Sequence, residues 1–319
     1  MSKHLEGLIA APFTPMDSEG NLNLSVIADY YLMLKHNGIS GAFICGTTGE
    51  GVSLTIKEKK AVCNAWVKAI EDDKDFKLIL FVGGTCIADC KELAKYGSDQ
   101  RIFAISFAPP FYFKPADVEI LASCCKEIAD SVPEMPFYFY HIPSLTGVDF
   151  PMIDLLKNVD GKISNFRGIK YTAENFMDFL SCLHFQNGKY DMLWGRDENL
   201  LSSLVLGCRG AVGSTYNYAA PLYFEIINAF KSNDLAKAQR LQQASVDMIT
   251  LLGKYGGIAT GKSYMKLAGL DCGGFRLPVK NMTQKEFELF KEDTETINFK
   301  GFCSVMKDVR KKEQLHAFV

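Results

Sequence analysis

Short runs of apolar and β-branched residues alternate along the chain with longer stretches in which apolar positions recur every three or four residues. The runs that read as strands are 5–13 (LEGLIAAPF), 41–46 (GAFICG), 78–84 (LILFVGG) and 103–109 (FAISFAP), followed by 136–142 (PFYFYHI), 166–172 (FRGIKYT), 191–197 (DMLWGRD) and 210–215 (GAVGST). Helical patterns between them include 24–37, 55–71, 115–131 and 174–185. Thr55 with Glu58 forms the signature of a capping box, and Asp117, Asp149 and Asn175 give weaker helix-start signals. Strands separated by helices call for parallel pairing with crossover connections. Eight such units in about 230 residues fit a closed barrel better than an open sheet. Beyond about residue 233 the strand signal stops, and DLAKAQRLQQASVDMITLLGKY and TQKEFELFKEDTETI both read as helices. The expected fold is therefore α/β, a (β/α)8 TIM barrel over 1–232 that carries the chemistry, with a C-terminal helical extension over 233–319.

Composition narrows the function classes. The 35 basic and 37 acidic residues leave a formal net charge of −2, which gives no electrostatic case for nucleic acid. The basic stretch MKDVRKKEQLHAF near the C-terminus is interrupted by Asp308 and Glu313 and reads as a solvated tail. No apolar run approaches the roughly 20 residues of a membrane span. Pro12 and Pro15 break the N-terminal apolar stretch before it could serve as a signal sequence. The ten cysteines are scattered through apolar elements (Cys45, Cys63, Cys182, Cys208), as expected of small buried side chains in a cytoplasmic protein. Neither Cys86 with Cys90 nor the Cys124–Cys125 pair has a neighbouring histidine to complete a zinc set, so no metal is expected.

Barrels of this class do their chemistry at the C-terminal ends of the strands. On the sixth run, alternation puts Gly168, Lys170 and Thr172 on one face and Ile169 and Tyr171 on the other. A lysine pointing into a barrel is costly unless partnered. Burying an ammonium favours the free amine, which can attack a carbonyl and form a Schiff base; a structural lysine paired with a core carboxylate has the same pattern. Tyr138 and Tyr140 share a face of the fifth run, where a phenol could relay protons or simply pack. After the second run, GTTGEG offers the Thr47 and Thr48 hydroxyls with turn amides, which suits a small carboxylate or plain turn chemistry. The acids of GRDE (195–198) could be helix-start charges or acceptors for a polyhydroxylated ligand. Two look-alikes fail. GGIATGKS (256–263) matches a phosphate-loop pattern but follows a helix instead of a strand, and GTTGEG lacks the glycine spacing of a dinucleotide fingerprint.

GTTGEG after the second run, YHIPSLTGV closing the fifth and GIKYT on the sixth together resemble the class I pyruvate aldolases of the dihydrodipicolinate synthase/N-acetylneuraminate lyase superfamily. The resemblance extends along the barrel and into the extension. Leu145 stands where the synthase branch carries an arginine, and GRDE resembles the Gly-x-Asp-Glu segment of the lyase branch. The resemblance implies reversible retro-aldol cleavage of an open-chain sialic acid to N-acetylmannosamine and pyruvate, without cofactor. By the same resemblance Lys170 would form the Schiff base, Thr47 and Thr48 would bind the carboxylate, and Tyr140 would move the proton. Tyr112, in PPFYFKP, would enter a neighbouring subunit's site within a homotetramer. Thr172, Gly195, Asp197, Glu198 and Ser214 would line the sugar pocket. His141, where asparagine is common, and Arg196 before the acid pair are departures from the pattern.

Overall fold

In the computed structural model, which describes residues 4–71 and 73–306, eight parallel strands close into a barrel in chain order. They are β1 (Gly7–Ala10), β2 (Gly41–Ile44), β3 (Lys77–Phe81), β4 (Ala104–Phe107), β5 (Phe137–His141), β6 (Phe166–Tyr171), β7 (Asp191–Trp194) and β8 (Gly210–Gly213). β1 pairs with both β2 and β8, so no edge is left open. The strands of β2, β5, β7 and β8 are buried at every position. One face fills the barrel and the other meets the helices, which is why these segments read as near-continuous apolar runs. The interior cluster holds Ile9, Phe43, Phe81, Tyr138, Tyr140 and Leu193. A second, larger cluster lies between the barrel and the helical ring.

The ring comprises α1 (Ile27–His36), α2 (Ile56–Ile70), α3 (Ile87–Ser98), α4 (Val118–Ala129), α5 (Met152–Val159), α6 (Phe176–His184), α7 (Leu200–Val205) and α8 (Tyr216–Lys231). The extension adds α9 (Leu235–Lys254), α10 (Thr260–Leu267) and α11 (Gln284–Thr296). The Thr55–Glu58 capping box forms in full at the start of α2, and Thr283 with Glu286 repeats it on α11. Asp117 and Asn175 cap α4 and α6 through Ile120 N and Asp178 N.

Asp149 does not cap a helix. α5 begins after Pro151, and its first amides are satisfied from another helix: Asp178 accepts from Met152 N at 2.9 Å and Ile153 N at 3.0 Å. Tyr171 donates to the same carboxylate at 2.9 Å, tying β6 to that cap. The strands are shorter than the runs that announce them. The seventh ends at Trp194 instead of residue 197; Gly195 N still donates to Tyr171 O at 2.8 Å, and a Cβ there would lie 2.0 Å from Thr172 Oγ1. Asp197 thus leaves the sheet and opens a short 3-10 turn, Asp197–Asn199. The stretch 24–37 likewise divides into a 3-10 turn, Leu24–Val26, and α1. The basic tail from residue 307 onward lies outside the described residues. No helix among the described residues is long and apolar enough to cross a membrane.

Candidate active site

Lys170, the fifth residue of β6, sits in register with Tyr140 on β5 and Leu193 on β7. Its side chain points inward, as the alternation predicts, and the residue is 4% exposed. The ammonium nitrogen lies between two aromatic faces, 4.1 Å from the ring centroid of Phe43 and 4.0 Å from that of Tyr140. Aromatic faces attract a cation without setting a counter-charge against the nitrogen. Among the described residues no carboxylate pairs with it, so the structural-lysine alternative has no partner here. Phe43 was not singled out in the sequence; its position in β2 facing the barrel axis was the available signal.

Tyr140 packs edge-on against Phe43 and Phe81, and its hydroxyl lies 3.4 Å from Thr47 Oγ1. Its strand-mate Tyr138 faces the opposite end of the barrel, where it donates to Asp191 Oδ2 at 2.6 Å; His4 approaches the other oxygen at 2.5 Å. The two tyrosines therefore divide into a floor residue and a mouth residue. Thr47 and Thr48 occupy the turn after β2, with Thr48 buried. The turn is knotted tightly: Glu50 N donates to Thr47 O at 3.1 Å, Gly51 N to Gly46 O at 3.0 Å, and Thr14 Oγ1 to Gly49 O at 2.6 Å. A Cβ on Gly51 would fall 1.7 Å from Cys45 O, so only glycine fits that position.

The other side of the mouth is polar. Asp197 is buried; its Oδ2 accepts from Thr215 N at 2.9 Å and lies 2.7 Å from Thr215 Oγ1. Thr215 Oγ1 is in turn 2.6 Å from the Tyr223 hydroxyl, which is 2.7 Å from Ser245 Oγ on α9. Gln242, also on α9, donates to the Asp197 carbonyl at 3.2 Å. Burial lifts the Asp197 carboxyl to about 6, against the opposing pull of the Thr215 hydrogen bonds and of the nearby Lys170 charge. Its Oδ1 has no hydrogen-bond partner, and neither do the buried Thr172 Oγ1 and Arg196 Nε. Unsatisfied buried groups are expensive in a folded protein; Asp197 Oδ1 is packed toward Gly213, where a Cβ would lie 1.9 Å away, and toward the buried Tyr216 hydroxyl. Gly195, bare of a side chain, lies against Thr172, and Ser214 follows β8 half-buried at the same end of the barrel.

Arg196 bridges two acids, with Nη2 2.9 Å from Glu174 Oε1 and 2.9 Å from Glu198 Oε1. That fixes the Glu198 carboxylate at the rim. His141 turns outward from the barrel and packs on Tyr171 at 5.0 Å between centroids, its imidazole held down to about 4 by burial. It therefore does not touch the mouth. Tyr112 stays apart from Lys170; it is 78% exposed and packs edge-on with Phe113. A cleft of about 260 Å³ opens beside Tyr140, walled by Thr47, Phe81, Pro109, Phe111 and Leu145. Leu145 gives this wall an apolar surface without a cation. Lys262, of the rejected phosphate-loop pattern, starts no anion-binding loop: its nitrogen is buried against Glu50 Oε1 at 2.9 Å.

The barrel brings Lys170 beneath the threonine turn at the strand ends, and residues 4–297 match the model of the dihydrodipicolinate synthetase family, to which the chain belongs. Among its relatives is the N-acetylneuraminate lyase of Rattus norvegicus, 37% identical over 94% of this chain and 95% of that protein. Solved structures agree. The N-acetylneuraminate lyase of Proteus mirabilis superposes with a TM-score of 0.90 at 37% identity, over 93% of this chain and all of that one. The N-acetylneuraminate lyase (sialic acid aldolase) of Aliivibrio salmonicida gives 0.89 at 36%, over 93% and 98%.

Proposed function

We propose that the protein is an N-acetylneuraminate lyase, cleaving the open-chain form of the sugar acid reversibly to N-acetylmannosamine and pyruvate. The observation that carries the chemistry is the Lys170 nitrogen at the barrel mouth, flanked by two rings and unpaired among the described residues. The amine would add to the C2 ketone and lose water to give a protonated imine. Removal of the C4 hydroxyl proton then breaks the C3–C4 bond, the carbon C4 leaves as an aldehyde, and the electron pair is taken up as a neutral enamine. Protonation at C3 and hydrolysis of the imine release pyruvate and restore the amine.

Tyr140 is the group for the proton at C4. A neutral phenol can take that proton only as it passes its own along, and Thr47 Oγ1, 3.4 Å away, supports such a relay. Thr47 and Thr48 would hold the C1 carboxylate with the turn amides. The unpartnered oxygens of Thr172 and Asp197, together with Gly195, Glu198 and Ser214, would receive the sugar hydroxyls. Tyr112 would complete the site of an adjoining subunit; its exposure in the single chain supports that role and, with it, a homotetramer. Cytoplasmic location is supported by ten cysteines that are all free.

Borohydride added with pyruvate should fix a covalent adduct on Lys170, identified by peptide mass. Trapping elsewhere, or none, would refute the assignment. Release of pyruvate from N-acetylneuraminate but not from other 2-keto sugar acids would establish the substrate; the reverse preference would leave the aldolase mechanism and remove the sugar.

A further inference from the structure

One residue of the GTTGEG turn and the residue just before it have a backbone conformation that costs any side chain with a β-carbon roughly 1–2 kcal/mol. Cys45 and Glu50 both have φ of 57°. Glycine is the ordinary solution at such a position, and the turn has three glycines nearby, yet position 50 is a buried glutamate. Its carboxylate is what holds the strained backbone in place. Oε1 accepts from Lys262 Nζ at 2.9 Å and Oε2 from Arg276 N at 2.8 Å. Lys262 donates further to Gly274 O at 2.6 Å, and its nitrogen stands 4.6 Å over the Phe275 ring. The side chains of the pair are 2% and 4% exposed.

All three anchors, Lys262, Gly274 and Arg276, belong to the C-terminal extension. Arg276 also donates to Gly20 O at 2.8 Å and forks onto Glu58 at 3.1 and 2.5 Å, the same glutamate that closes the capping box of α2. The segment that ends β2 and the helix that follows are thus fastened to the extension at two carboxylates. Glu50 is two residues from Thr48, and its amide closes the turn onto Thr47 O.

We propose that Lys262 is a positioning residue for pyruvate: through Glu50 it fixes the turn that presents Thr47 and Thr48 to the substrate carboxylate. The proposal rests on the reading of those threonines as carboxylate ligands. It also accounts for a lysine with no other role, since burial alone would push that ammonium toward its neutral form and Glu50 opposes the shift. Without the tether the turn relaxes toward ordinary backbone angles, and the hydroxyls and amides that meet the carboxylate move apart. Binding of the sugar half, on the opposite wall, is left alone.

The test uses the full-length chain with Lys262→Met, and Glu50→Gln as a milder second variant that keeps one acceptor. Three quantities are read: the pyruvate concentration giving half-maximal borohydride trapping at Lys170, the KM for N-acetylmannosamine in the condensation direction at saturating pyruvate, and the melting temperature. Lys262→Met should raise the half-trapping concentration by about tenfold or more, equivalent to ~1.4 kcal/mol of lost pre-organisation. Glu50→Gln should move it the same way by less. The KM for N-acetylmannosamine should stay within about twofold of the parent's, because uniform loosening would shift both constants. If Lys262→Met does not fold, Glu50→Gln decides alone. A folded variant with unchanged pyruvate half-saturation, or with both constants displaced together, overturns the proposal. If the parent enzyme itself shows no trapping at Lys170, the underlying assignment of the site fails and the proposal falls with it.

Discussion

Asp197 is the residue whose replacement should separate stability from function most cleanly. Its carboxyl is raised from 3.8 to about 6, chiefly by burial, so the ionised form present at neutral pH is destabilised in the fold. The gap corresponds to about 3 kcal/mol in total, at 1.36 kcal/mol for each tenfold change in proton affinity. A carboxyl raised in this way contributes its stability in full below its unfolded value and loses it as pH rises through about 6. Between pH 5 and pH 8 the parent should therefore lose on the order of 1 kcal/mol from this one group. Asp197→Asn is isosteric and uncharged. Its amide oxygen can still accept from Thr215 N, which places the NH2 where Oδ1 now lies without a partner. Urea unfolding followed by circular dichroism at pH 5 and pH 8 gives the relevant difference of differences. The variant should gain on the parent by on the order of 1 kcal/mol between those two conditions. If Asp197 receives a sugar hydroxyl as proposed, the variant's KM for N-acetylneuraminate should rise while pyruvate trapping at Lys170 is unaltered, because an acceptor has become a donor. Equal pH dependence in parent and variant would show that the carboxylate bears no desolvation penalty, and the account of the polar wall would fail.

Two further outcomes are expected. Tyr140→Phe should lower kcat by roughly 10²-fold or more, the usual loss of a general acid–base group, while half-maximal trapping by pyruvate changes little; a near-normal kcat would assign the proton to another residue. Gly195→Ala would drive a Cβ to within 2.0 Å of Thr172 Oγ1 and displace that hydroxyl, one of the proposed ligands of the sugar. Steady-state kinetics should show a higher KM for the sugar acid and an intact pyruvate half-reaction; an unchanged KM would remove Thr172 from the sugar's ligands.

Local patterns made the barrel legible. Period-two alternation on FRGIKYT was enough to turn Lys170 inward, because a strand's facing depends only on its own residues and on which side is buried. The same logic separated Ile169 and Tyr171, which face the helices. Contacts between distant segments were not legible. Asp197 takes its hydrogen bonds from Thr215, across the next strand, and the first amides of α5 are satisfied by Asp178 from another helix. Asp149 looked like the local cap, but Pro151 starts the helix two residues later and leaves Asp149 at the surface, 3.9 Å from His141. Arg196 read as an oddity beside two acids; only with the β6–α6 connection brought alongside does it become the bridge from Glu174 to Glu198. The lysine of GGIATGKS was recognised as a false phosphate loop, yet its partner lies 212 residues earlier in the chain.

The hydroxyl chain from Asp197 through Thr215 and Tyr223 to Ser245 ties the strand ends of the barrel to α9, and on the proposed sugar site it would give the helices after the barrel a stake in substrate choice. A barrel cut off at its last strand–helix unit would keep Lys170 and lose the contacts that Ser245 and Gln242 make behind Asp197. Anyone re-engineering this mouth for another aldehyde should therefore vary α9 together with the strand ends, since a substitution at Ser245 or Gln242 would be felt at the substrate without ever meeting it.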